Sequence, residues 1–327
     1  MPDSNPRTAA ASPQEHAGTN PRESTSILVV VPAFNESESI SQVIEGLHEV
    51  AALLQPRGIN LQVCVIDDGS VDGTGDLAEE AGADRVIRHA VNQGLGAAVR
   101  SGFHAAQAGA HDIAVKFDAD LQHDPRDIPP LIAPLLSDEA DVVYGNRFAD
   151  LRYRMPLIRR LGNRVFSRLM SWLTGWPIPD SQPGILAVNR RYLRSFQIPG
   201  DYNYTQQVLL EAYHQHLRFA HVPVTFRERT TGKSFVSFRY PLKVLPQIVL
   251  VIASIRPLRV FFPIGLAFLL LATLVFCYQV GTWLMDPTGR PVENVNLVLG
   301  SALFGLQTVF FGVLAELIVQ SRRRNDS

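Results

Sequence analysis

An α/β domain with a mostly parallel sheet, followed by a two-helix transmembrane hairpin, is what this 327-residue sequence predicts. Three observations predict it. From Ser26 to Tyr144, continuous apolar runs of strand length alternate with segments of helical periodicity, the pattern of crossover helices on a parallel sheet. The polar clusters Asn35/Glu36, Asp67/Asp68 and Asp118/Asp120 fall where three of those strands should end, the edge at which such sheets bind ligands. Beyond Tyr240 apolar residues dominate, and Phe261–Val280 carries no charge over twenty residues. At about 1.5 Å per residue such a helix spans roughly 30 Å of hydrocarbon.

In chain order, residues 1–25 are polar and rich in Pro, Ala and Ser, with no apolar core stretch, so they read as a disordered tail rather than a signal peptide. Ser26–Pro32 is a strand buried on both faces. Ser37–Leu54 is a helix through Ile40, Val43, Ile44, Leu47, Val50 and Ala51. Leu61–Ile66 is a second strand, ending at Asp67-Asp68-Gly69-Ser70. Asp72 can cap a helix over Thr74–Ala81, and Arg85–Arg88 is a short third strand. Asn92-Gln-Gly-Leu-Gly96 is a glycine loop that opens the helix Ala97–Ala108. Ile113–Phe117 is a strand, Ile128–Leu136 a helix and Asp141–Tyr144 a strand. Met155–Leu173 is a basic amphipathic helix with Arg159, Arg160, Arg164 and Arg168 beside apolar residues. After the turn-rich loop Pro177–Gly184 come a strand at Ile185–Val188, a helix at Tyr204–Leu217 and a strand at Phe219–Phe226. A segment rich in Arg, Thr, Gly, Lys and Ser follows, Arg227–Ser237.

The soluble domain is thus expected over residues 26–238. Tyr240–Ile255 is apolar but interrupted by Pro241 and Pro246. It reads as an interfacial helix within a juxtamembrane stretch 239–259, with a buried core helix as the alternative. Two spans occupy 260–320, Phe261–Val280 and Asn296–Val319, joined by a short linker with Pro287, Gly289 and Pro291. Lys243, Arg256 and Arg259 precede the first span, Arg322–Arg324 open the basic tail 321–327, and the linker carries one Arg against two acids. The positive-inside rule then places the soluble domain and both termini in the cytoplasm. Ser301 and Gly305 have small-xxx-small spacing, which leaves room for a homo-oligomer. Only two cysteines occur, Cys64 and Cys277 in apolar runs, so no disulfide is expected. A net charge of −1 gives no basic field for nucleic acid.

Asp118, Asp120 and Gln122 sit at alternate positions after a strand, and side chains two apart in extended chain point the same way. Hard oxygen donors suit Mg²⁺ or Mn²⁺, which usually shares its shell with substrate phosphates. The plainer alternative is a polar loop with a helix N-cap at Asp124. An acidic cluster in a domain tethered to a membrane hairpin suggests an activated phosphate donor, such as a nucleotide-sugar, and a lipid partner. The donor's diphosphate leaves with developing negative charge, which a divalent ion stabilises. Asp67, Asp68 and Glu36 could accept hydrogen bonds from base or ribose, or simply cap helices. Arg147, Arg159, Arg160, Arg164, Arg229, Lys233 and Ser234 fall in three separate polar segments, and guanidinium forks suit a phosphate. A lipid-borne monophosphate is already anionic and can attack without a strong base, so positioning dominates. Asp180 is a candidate polar partner or base. Asp120, Arg147 and Asp180 are the candidates for the transfer step itself. The histidines form no metal set: His214 and His216 face different sides of a helix, and His123 lies near the acidic site although helix-start polarity explains it as well. No P-loop is present.

Together Val31-Pro-Ala-Phe-Asn-Glu36, Val65-Ile-Asp-Asp-Gly-Ser70, Asn92-Gln-Gly-Leu-Gly96, Phe117-Asp-Ala-Asp-Leu-Gln-His-Asp-Pro125, Gly145-Asn-Arg-Phe148, Arg160-Leu-Gly-Asn163 and Arg229-Thr-Thr-Gly-Lys-Ser234 resemble, in order, the family 2 glycosyltransferases, and within them the polyprenol-phosphate sugar transferases. The resemblance covers roughly residues 26–238. It implies a GT-A fold and inverting, single-displacement transfer of one hexose from a UDP- or GDP-sugar to a polyprenyl or dolichyl phosphate. It implies metal contacts at Asp118, Asp120 and Gln122. Nucleotide contacts would be Pro32, Phe34, Glu36, Asp67 and Asp68, with Asp118 beside them. Acceptor-phosphate contacts would be Arg147, Arg160, Arg229 and Ser234. The chain departs from the family pattern at Gln182-Pro-Gly-Ile185, where the family often has Ser-Gly-Phe-Arg, and at Ser234-Phe235, where it often has Ser-Lys. The Gln-x-x-Arg-Trp signature of processive synthases does not occur. A transferase acting on another lipid or glycan, and a non-catalytic sugar-nucleotide-binding scaffold, remain as alternatives.

Overall fold

Ile27 to Ala33 are all buried, so the first apolar run becomes a strand covered on both faces. The computed structural model describes residues 24–149, 157–198, 204–227, 257–287 and 290–325, and the chain divides into two compact units, 1–234 and 235–327. In the first unit β1 (Thr25–Ala33), β2 (Ile59–Asp67), β3 (Arg85–Arg88), β4 (Ile113–Lys116), β5 (Val142–Asn146), β6 (Leu186–Asn189) and β7 (Phe219–Pro223) form one sheet, in the order β3-β2-β1-β4-β6-β5-β7. β6 runs antiparallel to both neighbours, and the other pairs are parallel.

The chain steps outward from β1 to β2 to β3 and then returns to the other side of β1 as β4. That reversal opens a crevice beyond the carboxyl ends of β1 and β4. Because β6 is antiparallel, the loop entering it arrives at this same edge. Its register pairs Lys116 with Leu186, so two residues further along Gly184 faces Asp118. β5 and β7 run parallel and deliver Arg147 and Val224–Arg227 to the edge as well.

Helices cover both faces. Ile27, Val29 and Val31 pack with Ile40, Val43, Ile44 and Leu47 of α1 (Ile40–Leu54) and with Ile128, Leu131 and Ile132 of α4 (Ile128–Leu136). Between these in chain order lie α2 (Thr74–Glu80) and α3 (Leu95–Ala108). On the opposite face of β1, α3 sets Gly102 directly on Val30: a Cβ there would lie 2.0 Å from Val30 Cγ1. α5 (Leu157–Thr174), the four-residue α6 (Arg190–Leu193) and α7 (Tyr204–His214) complete the unit.

In the second unit α8 (Pro257–Met285) and α9 (Val295–Asn325) form a hairpin, and both are long and apolar enough to cross a membrane. Each helix caps the start of the other: Leu258 N–H donates to Glu316 Oε2 at 3.3 Å, and the Glu293 and Asn294 amides donate to Gln279 Oε1 at 2.8 and 3.0 Å. These bonds satisfy helix-end amides that hydrocarbon cannot. Gly305 and Gly265 meet backbone to backbone, with a Cβ on either falling 2.7–2.8 Å from the other's carbonyl oxygen. Gly305 of the Ser301/Gly305 pair thus packs within the hairpin. The expected interfacial helix lies outside the described residues up to 256, and from Pro257 the chain is already α8. Both cysteines are free.

Candidate active site

The loops after β1 and β2 lock onto each other. Asn35 takes φ 53°, a left-handed conformation that Asn tolerates better than most residues. Its amide donates to Ser70 Oγ (3.0 Å), and its Oδ1 accepts from Val71 N–H (3.0 Å). Glu36 N–H donates to Thr74 Oγ1 (2.9 Å), and Ser37 N–H to Asp72 Oδ2 (3.1 Å). Asp72 also accepts from Thr74 N–H (3.1 Å), so it holds the first amide of α2 from just ahead of the N-cap Gly73 and ties in the approach to α1. Burial works against the Asp72 carboxylate, but the hydrogen bonds from Thr74 and Ser37 outweigh it and lower its pKa. Glu36 is half-buried and stands one turn ahead of α1 rather than inside it, since Ile40 N–H bonds to its carbonyl. Pro32 is buried within β1 and Phe34 half-buried just beyond it.

Asp67 and Asp68 divide their work. Asp67 Oδ1 accepts from Ser70 N–H at 2.9 Å and shapes the turn. Asp68 is buried with both oxygens occupied: Oδ1 by His89 Nδ1 (2.6 Å) and Gln93 N–H (2.9 Å), Oδ2 by Gly94 N–H (2.8 Å). Asp68 thus anchors the glycine loop at the head of α3.

Beyond β4 the extended alternation expected to aim Asp118, Asp120 and Gln122 does not persist. The strand stops at Lys116 and Leu121 takes φ 60°, so the segment is a turn. Gln122 N–H donates to Asp120 Oδ1 (3.2 Å). Gln122 Nε2 donates to the Arg227 carbonyl (3.2 Å), while Arg227 N–H donates to the Gln122 carbonyl (2.8 Å). The strand extension Thr225–Arg227 is pinned further by Asp127, which accepts from Thr225 N–H (2.7 Å), and by the Arg227–Asp124 ion pair (2.5 Å). Asp124 caps the short 3₁₀ turn Pro125–Asp127, as expected.

The Asp118, Asp120 and Gln122 side chains are half-buried. Asp118 Oδ2 and Gln122 Oε1 accept no hydrogen bond from the described residues. Among the described residues no three His, Cys, Asp or Glu gather as a metal cage. Two carboxylates and an amide oxygen fit a hard divalent ion that completes its shell with phosphate oxygens.

Arg147 and Asp180 are brought together. Arg147 Nε donates to Asp180 Oδ2 (2.7 Å) and an Nη2 hydrogen to Oδ1 (3.0 Å), a planar two-point fork. A further Nη2 bond reaches the Gln182 carbonyl, and Gln182 N–H returns to Asp180 Oδ1 (3.0 Å). Asp180 is 1% exposed, so it is the guanidinium's partner and not a base open to solvent. Burial works against the Arg147 charge, but Asp180 outweighs it and raises its pKa. The guanidinium lies 5.2 Å from the Phe226 ring centroid. α5 is stitched to the Pro179–Ser181 loop by Ser167 Oγ to the Pro179 carbonyl (3.4 Å) and Ser181 Oγ to Asn163 Oδ1 (3.3 Å). A cleft of about 390 Å³ there is lined by Phe148, Arg164, Ser167 and Arg168. Arg160 lies one turn earlier on α5. Arg229, Lys233 and Ser234 lie outside the described residues.

Two residues of this edge escaped the sequence reading. Lys116 is 1% exposed, and its Nζ donates to Asp118 Oδ1 and to the Gly184 carbonyl (2.8 Å). The signal was there: a lysine in an apolar strand needs a partner, and the residue two on points the same way. His123, expected to be helix-start polarity, is 3% exposed with neither ring nitrogen hydrogen-bonded among the described residues. Burial, reinforced by Arg147 and Lys116 against Asp118, pushes its pKa down to about 4, so the imidazole is neutral. Its ring packs on Phe226 at 5.3 Å, which places His123 and Arg147 about one aromatic ring.

The chain is similar to known proteins over both of its units. The model of glycosyl transferase family 2 matches residues 28–196, and that of the GtrB C-terminal hairpin matches 256–321. The chain is 31% identical over 219 residues to a UDP-N-acetylglucosamine–dolichyl-phosphate N-acetylglucosaminyltransferase of Methanococcus voltae, covering 61% of this chain and 84% of that one. It is 26% identical over 330 residues to the dodecaprenyl-phosphate galacturonate synthase of Rhizobium johnstonii, covering 95% and 93%. The fold is also that of glucosyl-3-phosphoglycerate synthase from Mycobacterium tuberculosis, solved with Mn²⁺, UDP and glucosyl-3-phosphoglycerate, at TM-score 0.54 and 23% identity over 70% of this chain and 79% of that one. The chain therefore belongs to glycosyl transferase family 2, in its polyprenol-phosphate sugar transferase group, with a GT-A-like domain followed by a GtrB-type membrane hairpin.

Proposed function

We propose that this glycosyltransferase moves one hexose from a UDP- or GDP-sugar to a polyprenyl or dolichyl phosphate at the cytoplasmic face of a membrane. One observation carries the reading: the half-buried oxygens of Asp118, Asp120 and Gln122 and the half-buried guanidinium of Arg147 meet at one sheet edge, with Phe226 packed against both His123 and Arg147. The oxygens suit a divalent ion on a leaving diphosphate, and Arg147, its Nε and Nη2 held by Asp180, keeps its charge and its Nη1 hydrogens for an incoming phosphate.

The nucleoside would lie along the ends of β1 and β2, against Pro32, Phe34, Glu36 and Asp67, with Asp68 holding the glycine loop in place. Mg²⁺ or Mn²⁺ on Asp118, Asp120 and Gln122 Oε1 would neutralise charge on the diphosphate as it departs. Arg227 fixes the far end of the Gln122 amide and so orients that oxygen. Arg147, together with Arg160, Arg229 and Ser234, would seat the acceptor phosphate. One phosphate oxygen then attacks the anomeric carbon as the bond to the nucleoside diphosphate breaks, inverting the centre. Asp180 keeps the Arg147 plane set. The phosphate carries its own negative charge, so orientation is the main demand.

Membranes holding the full chain, given labelled nucleotide-sugars, polyprenyl phosphate and Mg²⁺ or Mn²⁺, should yield a chloroform-soluble labelled product. Asp120→Ala should cut that yield roughly 100-fold or more with the melting temperature kept. No lipid-soluble label from any common UDP- or GDP-hexose would sink the reading.

A further inference from the structure

Lys116 is a buried cation to which the transfer, as described, gives no task. Burying an ammonium is costly unless it is paired, and its partners come from three separate segments. Nζ donates to Asp118 Oδ1 after β4 and to the Gly184 carbonyl before β6, and stands 5.7 Å from the Tyr204 ring centroid at the head of α7. The Lys116 ammonium is the cation bonded to Asp118.

The loop it grips is short and held from both ends. Arg147 takes the Gln182 carbonyl and Lys116 takes the Gly184 carbonyl. Gly184 fits there because it lacks a side chain: a Cβ would lie 2.2 Å from His123 Nε2 and 2.6 Å from Asp118 Oδ2. The loop is therefore suspended between a cation bonded to the proposed metal carboxylate and a cation proposed to meet the acceptor phosphate.

We propose that Lys116 is a positioning residue that partly neutralises Asp118 and couples it, through Gln182–Gly184, to the seating of Arg147. The proposal rests on the reading that Asp118 takes a divalent ion and Arg147 the acceptor phosphate. A divalent ion reaching Asp118 must compete with the ammonium, and any shift of Lys116 is passed to the loop that Arg147 holds.

The test uses the full-length protein, as wild type, Lys116→Met and Lys116→Arg. Free Mn²⁺ is measured by electron paramagnetic resonance with and without UDP, and KM is measured separately for nucleotide-sugar and polyprenyl phosphate. Removing the charge should tighten Mn²⁺ binding roughly tenfold while raising acceptor KM several-fold more than donor KM. Lys116→Arg should return both towards wild type. Mn²⁺ affinity unchanged or weaker in a folded Lys116→Met variant, or both KM values rising together, overturns the proposal. A wild type with no Mn²⁺ affinity overturns the metal reading and the proposal with it. If Lys116→Met fails to fold, Lys116→Gln, which keeps a donor towards the Gly184 carbonyl without the charge, takes its place. Mn²⁺ binding should again tighten and acceptor KM should rise more than donor KM. An unchanged or weaker Mn²⁺ affinity, or equal rises in both KM values, overturns the proposal.

Discussion

Arg147 and Asp180 show how a single pair changes the experiment that probes it. Asp180 is buried and both its oxygens are bonded to Arg147. Arg147→Ala would strand an unpaired carboxylate and cost roughly 3–5 kcal/mol of stability, mixing unfolding with any loss of acceptor binding. Arg147→Lys is the cleaner probe, since it keeps the charge and removes the planar fork. We expect KM for polyprenyl phosphate to rise at least ~10-fold while nucleotide affinity, measured by calorimetry, changes little. Equal loss of both would move Arg147 to the donor side. Residue types alone made the acidic and basic candidates legible, because unpaired carboxylates and guanidinium groups at strand ends demand a reason. They did not show that Asp180 belongs to Arg147, or that both oxygens of Asp68 are spent on the glycine loop. Those pairings depend on which strands are neighbours.

At the scale of elements, strand and helix positions followed from apolar periodicity, and the described ones other than the short α6 fall within a few residues of where the pattern put them. The ends moved where hydrogen bonding overrode periodicity. The first helix begins at Ile40 because Glu36–Ser39 bond to the β2 loop and to each other, and β4 stops at Lys116 because Leu121 turns. The contact of α3 with β1 makes a quantitative prediction. Gly102→Ala places a methyl 2.0 Å from Val30 Cγ1 and should destabilise the domain by about 1–3 kcal/mol in thermal or urea unfolding. Val30→Ala in the same chain should recover part of that loss, because the two sites are in contact and their effects are not additive. Full additivity would mean that the helix simply shifts. In the hairpin, Gly265 and Gly305 read as a generic small-residue pattern. Only the fold shows that they face each other within one chain.

For the whole molecule, two apolar helices joined by a short linker would, on crossing a membrane, bring both ends of the hairpin to one side. In the proposed reading the flanking basic residues put that side in the cytoplasm. Single cysteines at Arg290 and at Asp326, in a Cys277→Ser background, should therefore label differently in intact cells. An impermeant maleimide should modify Arg290→Cys and reach Asp326→Cys only after permeabilisation. The reverse pattern would put the catalytic domain on the far side and remove the cytoplasmic nucleotide-sugar pool as its donor. Cys64 should not interfere, because it is buried and burial pushes its thiol up to about 11.

The linear order of residues was enough to determine an α/β domain, a membrane hairpin and the placement of carboxylates at strand ends, because apolar periodicity and chain length act locally. Only the tertiary structure decided that β6 runs antiparallel, which brings Gly184 opposite Asp118 and lets Lys116 and Arg147 hold one loop between them. Strand direction and register are set by packing between segments as much as 86 residues apart, Ile27 and Ile113 among them. Apart from Lys116 and Asp118, two apart at the end of β4, no local pattern records which buried charge will find which partner.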